Sequence, residues 1–349
     1  MQTVYTDIIQ FRGNHYDFGR YQGELLKDSF ILPNRKKQWG KDSHNFIINE
    51  EHYKEVIMRF APKIWEEIHG LADALQLPMV DAIRDFGGYY LQFRRGGCSI
   101  FSTEQFMLRN YDNHPHSYEG RILLYEPSDG GYATIGPTMQ ITGRTDGINE
   151  KGLAMGYNFI NKRGSDDGFL CNMIGRLILE LCADLEEAIS FLKEIPHRMS
   201  FTYVLLDQSG KSIVVEASPR RIATREANIC TNHFETLTEE NRYRMDDSKN
   251  REKAIKEGQE YVLDYQRAFE LMNKPENGVF SKKYGAWAGT LHTASYHPEE
   301  LLVGFALGGN KRPVMLDFHK WLKGENLNII KIRGSIESEA SFVNMKMLP

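Results

Sequence analysis

The chain has 349 residues, of which 41 % are hydrophobic and 26 % are charged. This composition is typical of a globular protein and excludes a disordered, collagen-like or coiled-coil chain. Lysine and arginine total 43 and aspartate and glutamate total 47, giving a net charge of −4. Such a charge offers no field for nucleic acid or anionic lipid, so we expect neither a nucleic-acid nor a membrane partner.

The beginning of the chain carries no recognisable targeting segment. Residues 1–12 lack the basic region and apolar core of a signal peptide. No run approaches the ~18 consecutive apolar residues of a membrane-spanning helix. We therefore expect a cytoplasmic protein.

The first part of the chain has a helical pattern. Apolar residues recur at spacings of three and four in EEHYKEVIMRFAPKIWEEIHGLADAL, and a second helix is predicted to start near Pro78. We expect residues 1–97 to form a mostly helical segment and residues 98–349 to form a second unit. Length alone is compatible with two domains or with one large domain and an appendage.

The pattern changes at Gly96-Gly97-Cys98, after which short β-branched runs alternate with turn residues. Residues 98–102 and 106–112 are predicted to form a hairpin. Turns are predicted at Asp146-Gly147, Lys151-Gly152 and Ser209-Gly210, and helices over residues 169–195 and 248–273. This mixture predicts an α+β protein with layered sheets. A glycine-rich phosphate loop is absent, so we expect no nucleotide cofactor.

Four cysteines occur at positions 98, 171, 182 and 230, without a CxxC motif. We expect neither disulfides nor a cysteine zinc site, and we interpret the last three as core residues. Cys98 begins a predicted strand, and the hairpin returns Arg109 and Asp112 close to it. A nearby cation lowers the pKa of a thiol. Because positions three apart point to opposite faces of a strand, both side chains reach one sulfur only where the second strand bends, bulges or ends. A buried structural cysteine beside an ion pair is the alternative.

Two histidine pairs have the appearance of metal ligands: His114 with His116, and His292 with His297. Neither pair belongs to an HExxH helix or has a set of carboxylates nearby in the sequence. We expect no metal site.

Five segments occur in an order that, taken together, indicates a family: GGCSIF…LRNYDNH, DGINEKGLAMGYNF, ICTNHF, DDSKNREKAI and GTLHTASYHPEELLVGFALG. With them the chain resembles the isopenicillin-N acyltransferase (acyl-coenzyme A:6-aminopenicillanate acyltransferase) family. It is more distantly similar to choloylglycine hydrolases, penicillin V acylases and acid ceramidase. The N-terminal GNHYDFGRYQGELL also resembles the start of acyltransferase-type precursors.

The resemblance implies an N-terminal-nucleophile (Ntn) hydrolase with a four-layer αββα sandwich. Such proteins cleave themselves before the catalytic residue, and the matching bond here is Gly97–Cys98. The pieces 1–97 and 98–349 would stay associated. Cys98 would then carry both a nucleophilic thiol and a basic α-amine, whose reference pKa is about 7.7–8.0.

The resemblance also assigns roles to other residues. Arg109 and Asp112 would support the thiol and the new amine, and Arg251 would lie near the nucleophile. Asn232 matches a position whose side-chain amide stabilises the oxyanion, and Asn158 lies in the second matching segment. Three aromatic residues are expected to line an apolar acyl pocket: Tyr111, Phe159 and Phe234.

We expect hydrolysis of a linear acyl amide through an acyl-enzyme on Cys98, with an acyl thioester as another possible substrate and no cofactor. Transfer of the acyl group to an amine uses the same first step. The alternatives are a bile-salt or penicillin V acylase-like hydrolase, a non-catalytic binding protein of the same fold, and a Cys-His protease without self-cleavage.

Overall fold

The computed structural model describes residues 1–39, 49–89, 96–160, 165–241, 245–262, 264–286 and 288–346. The end of the helix predicted after Pro78, residues 90–93, lies outside these ranges. No helix of the described residues has the length and apolarity needed to cross a membrane.

The described residues form ten α-helices. Their bounds are α1 (His15–Lys27), α2 (Ile31–Trp39), α3 (Glu50–Phe60), α4 (Pro62–Leu75), α5 (Met79–Phe86), α6 (Cys171–Leu181), α7 (Leu185–Glu194), α8 (Asp246–Gln259), α9 (Tyr265–Asn273) and α10 (Phe318–Leu322).

The described strands, in chain order, are β1 (Gln2–Gly13), β2 (Gly97–Ser102), β3 (Met107–Asn113), β4 (Arg121–Pro127), β5 (Thr134–Met139), β6 (Gly143–Arg144), β7 (Asp146–Asn149), β8 (Ala154–Phe159), β9 (Phe201–Leu206), β10 (Ser212–Ala217), β11 (Ile222–Glu226), β12 (Ile229–Cys230), β13 (Lys282–Lys283), β14 (Ala288–His297), β15 (Leu302–Leu307), β16 (Val314–Asp317) and β17 (Lys331–Ile336).

Two sheets organise these strands within the described residues. The ten-stranded sheet has the order β11-β10-β9-β8-β7-β5-β4-β1-β17, with β6 paired to β5. The seven-stranded sheet has the order β12-β2-β3-β14-β15-β16, with β13 paired to β14.

Hydrophobic clusters show how the layers stack. One cluster fills the space between the sheets, with Ile100 and Tyr111 from one sheet and Leu124 and Val204 from the other. A second cluster packs helices α3 to α7 on the outer face of the ten-stranded sheet. A third packs α8 and α9 on the outer face of the seven-stranded sheet. The result is an αββα sandwich, so the predicted fold class is confirmed.

The first strand is not part of the predicted helical pattern. β1 lies between β4, to which it is parallel, and β17, to which it is antiparallel. It turns Val4 and Ile8 into the core between the sheets and Ile9 and Phe11 towards α1. The N-terminal segment is thus mostly helical but also contributes an interior strand to the large sheet.

The two long helices predicted in the second half are each interrupted. Asp184 accepts a hydrogen bond from the Glu187 N–H and begins α7, and Asp264 accepts one from the Arg267 N–H and begins α9. A capping aspartate satisfies a free N–H at a helix start, so it favours a new helix over continuation of the old one.

One predicted turn is wrong. Asp146 and Gly147 lie within strand β7, while the turns at Lys151-Gly152 and Ser209-Gly210 are confirmed, with Gly152 and Gly210 at positive φ. A Cβ at Gly147 would lie 2.6 Å from the Ile135 carbonyl oxygen. The glycine therefore permits close packing of neighbouring strands rather than a turn.

Candidate active site

The predicted hairpin forms and places Cys98 between the two sheets. β2 and β3 pair antiparallel, with Cys98 opposite Tyr111 and Ile100 opposite Arg109. Residues opposite each other point to the same face of a sheet, so the side chains of Cys98 and Arg109 share the inner face. Cys98 is 4 % exposed.

Arg109 contacts the thiol directly. Its Nη2 donates to Cys98 Sγ at 3.3 Å and to the Tyr157 carbonyl oxygen at 2.7 Å. A cation at this distance favours a thiolate, and the predicted role of Arg109 in supporting the thiol stays a prediction.

Asp146 holds the other end of the same guanidinium. Its Oδ1 accepts from Arg109 Nη1 at 2.6 Å, and its Oδ2 accepts from the Tyr296 hydroxyl at 2.6 Å. Thr145 Oγ1 also donates to Oδ1, at 2.5 Å. Although burial opposes ionisation, Arg109 and the other donors hold the pKa of Asp146 well below its usual range. A permanently charged carboxylate therefore fixes Arg109 in place.

The backbone nitrogen of Cys98 is held by Asn232, which follows β12. Cys98 N donates to Asn232 Oδ1 at 2.8 Å, and Arg251 Nη2 donates to the same oxygen at 2.7 Å. Two donors facing one atom identify it as the oxygen of the amide. Asn232 Nδ2 donates to the Phe159 carbonyl oxygen at 2.8 Å. The predicted oxyanion contact of this amide stays a prediction.

Arg251 on α8 joins several parts of the site. Its Nη1 donates to the Cys98 carbonyl oxygen and to Ser99 Oγ, both at 2.6 Å. Its Nε donates to Asp247 Oδ2 at 3.1 Å. The planar guanidinium thus fixes the backbone of Cys98 and the amide of Asn232 at the same time.

Asp112 lies on the other face of β3 from Arg109. Its carboxylate accepts from Thr290 Oγ1 at 2.6 Å and lies 3.8 Å from Arg251 Nη1. The sequence allows the Asp112 side chain to reach the sulfur only if β3 bends, bulges or ends there. The register shift in this part of the sheet lies in β14, between Thr290 and His292, and not in β3. The carboxylate of Asp112 faces Arg251 on α8, and its predicted support of the thiol and of the new amine stays a prediction.

Burial dominates the electrostatics of the site. It raises the pKa of the Cys98 thiol to about 11, against the attraction of Arg109. It also raises the pKa of Asp112 to about 7, against the opposing effects of Arg251 and the Thr290 hydrogen bond. In the continuous chain the thiol is therefore held neutral, and a further basic group is needed to activate it.

Asn158 lies on β8 between Tyr157 and Phe159, whose carbonyl oxygens accept hydrogen bonds from Arg109 and Asn232. Its Nδ2 donates to the Cys230 carbonyl oxygen at 3.1 Å, and its buried Oδ1 has no hydrogen-bond partner among the described residues. No described hydrogen bond joins it to Cys98. Its predicted catalytic role stays a prediction.

The three predicted aromatic residues have different surroundings. Tyr111 lies opposite Cys98 and stacks on the His292 ring at 5.0 Å. Phe159 is 6 % exposed, and its Cβ lies 3.6 Å from the position of a Cβ on Gly96. Phe234 belongs to a small separate cluster with Ile160 and Leu237. The geometry brings the first two close to the Gly97–Cys98 segment and places Phe234 outside it.

One cavity and one pair of histidines lie away from the residues around Cys98. A cavity of about 580 Å³ is lined by Tyr5, Phe11 and Arg121, among others, on the α1 side of β1, and none of the site residues lines it. His114 and His116 contact each other, with the His116 N–H donating to His114 Nδ1 at 3.2 Å.

Sequence reasoning misses Asp146 and Tyr296, and it places Ser248 beside Arg251 without giving it a role. Asp146 has the pattern of a turn residue because glycine follows it, although it opens the same DGINEKGL segment that carries the family resemblance. Ser248 accepts the Asn232 backbone N–H at 2.7 Å. Its position three residues before Arg251, on the same helix face, is the available signal.

A family comparison bears on these residues. The model of a family described as acyl-coenzyme A:6-aminopenicillanic acid acyl-transferase matches residues 101–312. The match begins three residues after Cys98 and covers Arg109, Asp112, Asn232 and Arg251. No curated protein sequence matches the chain.

Solved structures give a second comparison. A mutant conjugated bile acid hydrolase from Clostridium perfringens matches with a TM-score of 0.50 and 16 % identity, over 70 % of this chain and 97 % of that chain. This likeness shows the fold, which is that of Ntn hydrolases. Penicillin V acylase from Agrobacterium tumefaciens matches with a TM-score of 0.42 and 15 % identity, over 64 % of this chain and 86 % of that chain. The N-acylethanolamine-hydrolyzing acid amidase ortholog from Caenorhabditis elegans matches with a TM-score of 0.38 and 11 % identity, over 58 % of this chain and 92 % of that chain.

Proposed function

This chain belongs to the acyl-coenzyme A:6-aminopenicillanic acid acyl-transferase family, and from that premise we propose that it cleaves itself before Cys98 and then hydrolyses linear acyl amides. One observation supports this more than any other. Each polar group of Cys98 contacts a residue that the sequence singles out: the sulfur contacts Arg109, the nitrogen Asn232 and the carbonyl oxygen Arg251. The backbone groups of any buried cysteine need partners, but here an amide and a guanidinium supply them, and a third polar side chain contacts the sulfur.

The first step is the cut. The Cys98 thiol, losing its proton, attacks the carbonyl carbon of Gly97, and the C–N bond to Cys98 breaks as its nitrogen takes up a proton. The acyl group of Gly97 is now a thioester on Cys98. Water opens this thioester, which releases a carboxylate on Gly97, a free thiol and a free α-amine on Cys98.

The second step uses the amine that the cut creates. An α-amine has a reference pKa of about 7.7–8.0, so it accepts the thiol proton at neutral pH. Arg109 stabilises the thiolate, and Asn232 Oδ1 holds the nitrogen in place. The sulfur attacks the substrate carbonyl, the amine part of the substrate leaves with a proton, and water hydrolyses the acyl-enzyme.

The substrate class follows from this chemistry. The sulfur attacks an acyl amide or an acyl thioester in the same way, and an amine in place of water turns hydrolysis into acyl transfer. Tyr111 and Phe159 lie close to the Gly97–Cys98 segment and offer apolar surface for the acyl chain. We favour hydrolysis of linear amides because transfer requires a site that excludes water and admits an amine.

The two pieces would remain one particle after the cut. β1 in piece 1–97 is paired on both sides by strands of piece 98–349. Buried contacts also cross the boundary: His15 Nε2 lies 2.5 Å from Glu180 Oε1, and Arg176 Nη2 lies 2.9 Å from Glu67 Oε2. Separation would expose unpaired backbone groups and leave these charges without partners.

Intact-mass spectrometry of the purified protein tests the cut. We expect two masses for the wild type, with the larger piece beginning at Cys98, and a single full-length mass for Cys98→Ala. Cys230→Ala is a matched control, because Cys230 is also buried, pairs with Ile100 of β2 and has no hydrogen bond with Arg109 among the described residues. This control should be cleaved like the wild type.

The cleaved protein is then tested on a panel of acyl amides and acyl thioesters, with and without a nucleophilic amine. We expect release of the free acid from at least one linear amide, and no release by Cys98→Ala. A wild-type chain that stays whole, with a Cys98 that no alkylating reagent labels, would contradict the proposal and favour a non-catalytic binding protein of the same fold.

A further inference from the structure

A cluster of three potential ligand side chains lies beside Asn232 and Arg251. His233, Glu235 and Glu252 each place one ligand atom within 4.8 Å of the other two. The Nε2 atom of His233 lies 3.5 Å from Glu252 Oε2. Two ligand atoms that each lie about 2.0–2.2 Å from a tetrahedral ion are about 3.5 Å apart, which is the distance between these two atoms.

The hydrogen bonds around His233 fit the tautomer that a metal ligand needs. Ser248 Oγ donates to Thr231 Oγ1, which donates to the Ser248 carbonyl oxygen. Both hydroxyls lie near His233 Nδ1, Ser248 Oγ at 2.9 Å and Thr231 Oγ1 at 3.3 Å. A proton on Nδ1 completes this network with Ser248 Oγ as acceptor and leaves the Nε2 lone pair towards the two glutamates.

His233 Nε2 makes no hydrogen bond within the described residues, although the side chain is only 7 % exposed. Metal-binding histidines have this arrangement: one nitrogen donates to an oriented acceptor and the other carries a free lone pair.

Both glutamates keep an oxygen available. Lys256 Nζ contacts Glu252 Oε1 at 2.7 Å, and it is Oε2 that faces His233. Arg225 Nη2 contacts Glu235 Oε1 at 2.7 Å. The ligand oxygens of the two carboxylates nonetheless lie within 4.8 Å of each other, and their like charges repel. A cation between them relieves that repulsion.

The backbone that carries these ligands is already fixed. The Glu216 carboxylate accepts the backbone N–H groups of Glu235, Thr236 and Leu237 at 2.8 to 3.2 Å. Glu252 lies on helix α8, directly after Arg251. A site whose ligands are held in place loses little entropy when an ion binds.

We propose that His233, Glu235 and Glu252 bind one divalent transition-metal ion of the zinc class, with water completing its coordination. One imidazole and two carboxylates are a donor set that Zn²⁺ accepts, with the fourth position open. The ion would join the loop after β12 to α8. These are the two elements that hold Asn232 and Arg251 against Cys98, so the bound ion would stabilise their placement without taking part in the chemistry.

Titration with Co²⁺ and Zn²⁺ tests this site in both the wild type and Cys98→Ala. We expect one ion per chain by isothermal calorimetry, and for Co²⁺ the intense visible bands of a low-coordinate ion without a sulfur charge-transfer band. Glu252→Gln should weaken binding by about tenfold or more. Glu257→Gln, which alters an exposed glutamate on the same helix, should bind like the wild type.

His233→Gln removes a second proposed ligand and should also weaken binding of the ion. Circular dichroism and thermal unfolding show whether each variant is folded. Binding of less than one ion per chain, equal affinity in Glu252→Gln, or a sulfur-to-cobalt band would each overturn the proposal. Because Cys98→Ala retains all three ligands, the result does not depend on whether the chain is cleaved or active.

Discussion

Arg109 and Asp146 form a fully buried ion pair, 2.6 Å long, that joins the two sheets of the sandwich. Arg109 lies on β3 of the seven-stranded sheet and Asp146 on β7 of the ten-stranded sheet. The same guanidinium contacts the sulfur of Cys98. One contact therefore ties the position of the cation at the thiol to the opposite sheet.

Asp146→Asn tests that contact. The amide still accepts a hydrogen bond from Arg109 but loses the charge, and a charge-assisted hydrogen bond contributes about 1.5–3 kcal/mol. We expect kcat/KM on the best substrate of the panel to fall about 10- to 100-fold. The reduction should be measured on protein that has been fully cleaved.

A double-mutant cycle shows whether Asp146 acts through Arg109. In the Arg109→Gln background the carboxylate has no cation to hold, so adding Asp146→Asn should reduce kcat/KM little further. Independent, multiplying losses in the double variant would show that Asp146 has a separate role.

The raised pKa of Asp112 predicts how stability depends on pH. In the folded chain this pKa is about 7, above the unfolded reference of about 3.9. Between these values the folded state binds more protons than the unfolded state, so its contribution to stability decreases as pH rises from about 4 to about 7. Replacing Asp112 by asparagine removes that contribution.

Urea unfolding of the uncleaved Cys98→Ala chain at a series of pH values measures this effect. We expect Cys98→Ala/Asp112→Asn to lose less stability over the window than Cys98→Ala alone. Asp246→Asn, at an exposed position, serves as the control and should leave the slope unchanged. Parallel curves for the Asp112 variant and its parent would show that Asp112 does not titrate in this range.

The Cys98 thiol should react much faster with added alkylating reagents after the cut than before it. In the continuous chain its pKa is raised to about 11 by burial, so on the order of one thiol in a thousand is ionised at pH 8. After cleavage the adjacent amine accepts its proton. We expect iodoacetamide to label Cys98 much faster in the cleaved form than in the uncleaved form.

A partly cleaved preparation supplies both forms in one tube, and peptide mapping locates the label. Cys171 and Cys182 provide internal references, since burial raises the pKa of each of these thiols as well. Equal labelling of Cys98 in both forms would refute the role assigned to the new amine.

Arg251→Lys tests the contacts to the backbone of Cys98. Lysine keeps the charge but lacks the planar fork that holds the Cys98 carbonyl oxygen, Ser99 and Asn232 together. Loss of about 1–3 kcal/mol of hydrogen bonding should slow self-cleavage about 10- to 100-fold. The rate of self-cleavage is measured by intact-mass spectrometry at a series of times. Arg267→Lys, at an exposed position on α9, is the matched control, and equal cleavage rates in the two variants would count against this role of Arg251.

Much of the site follows from local pattern. The hairpin from Cys98 to Asp112 is predicted by two short strands and a turn, and this register is enough to bring Arg109 to the sulfur. Asn232 and Arg251 are far from Cys98 in the sequence, and only the family resemblance predicts that they lie near it. No local rule indicates that their side chains meet at a backbone nitrogen.

Other features escape prediction for physical reasons. The aspartate before Gly147 has the sequence of a turn, yet close strand packing requires this glycine and turns Asp146 into the partner of Arg109. β1 is hard to predict because its strand partners are distant in the chain, and a strand without neighbours has only a weak local signal. The helix breaks at Asp184 and Asp264 are predictable in principle, since an aspartate at a helix start is a known cap.

The place of β1 inside the large sheet has a consequence for synthesis on the ribosome. β1 is the first strand to emerge, but its neighbour β17 is among the last segments translated. Asn232 and Arg251, which hold Cys98, also emerge long after it. A nascent chain that ends before Arg251 would therefore lack contacts that the proposed cut requires, so we expect the first strand to stay covalently attached until most of the sheet has been made.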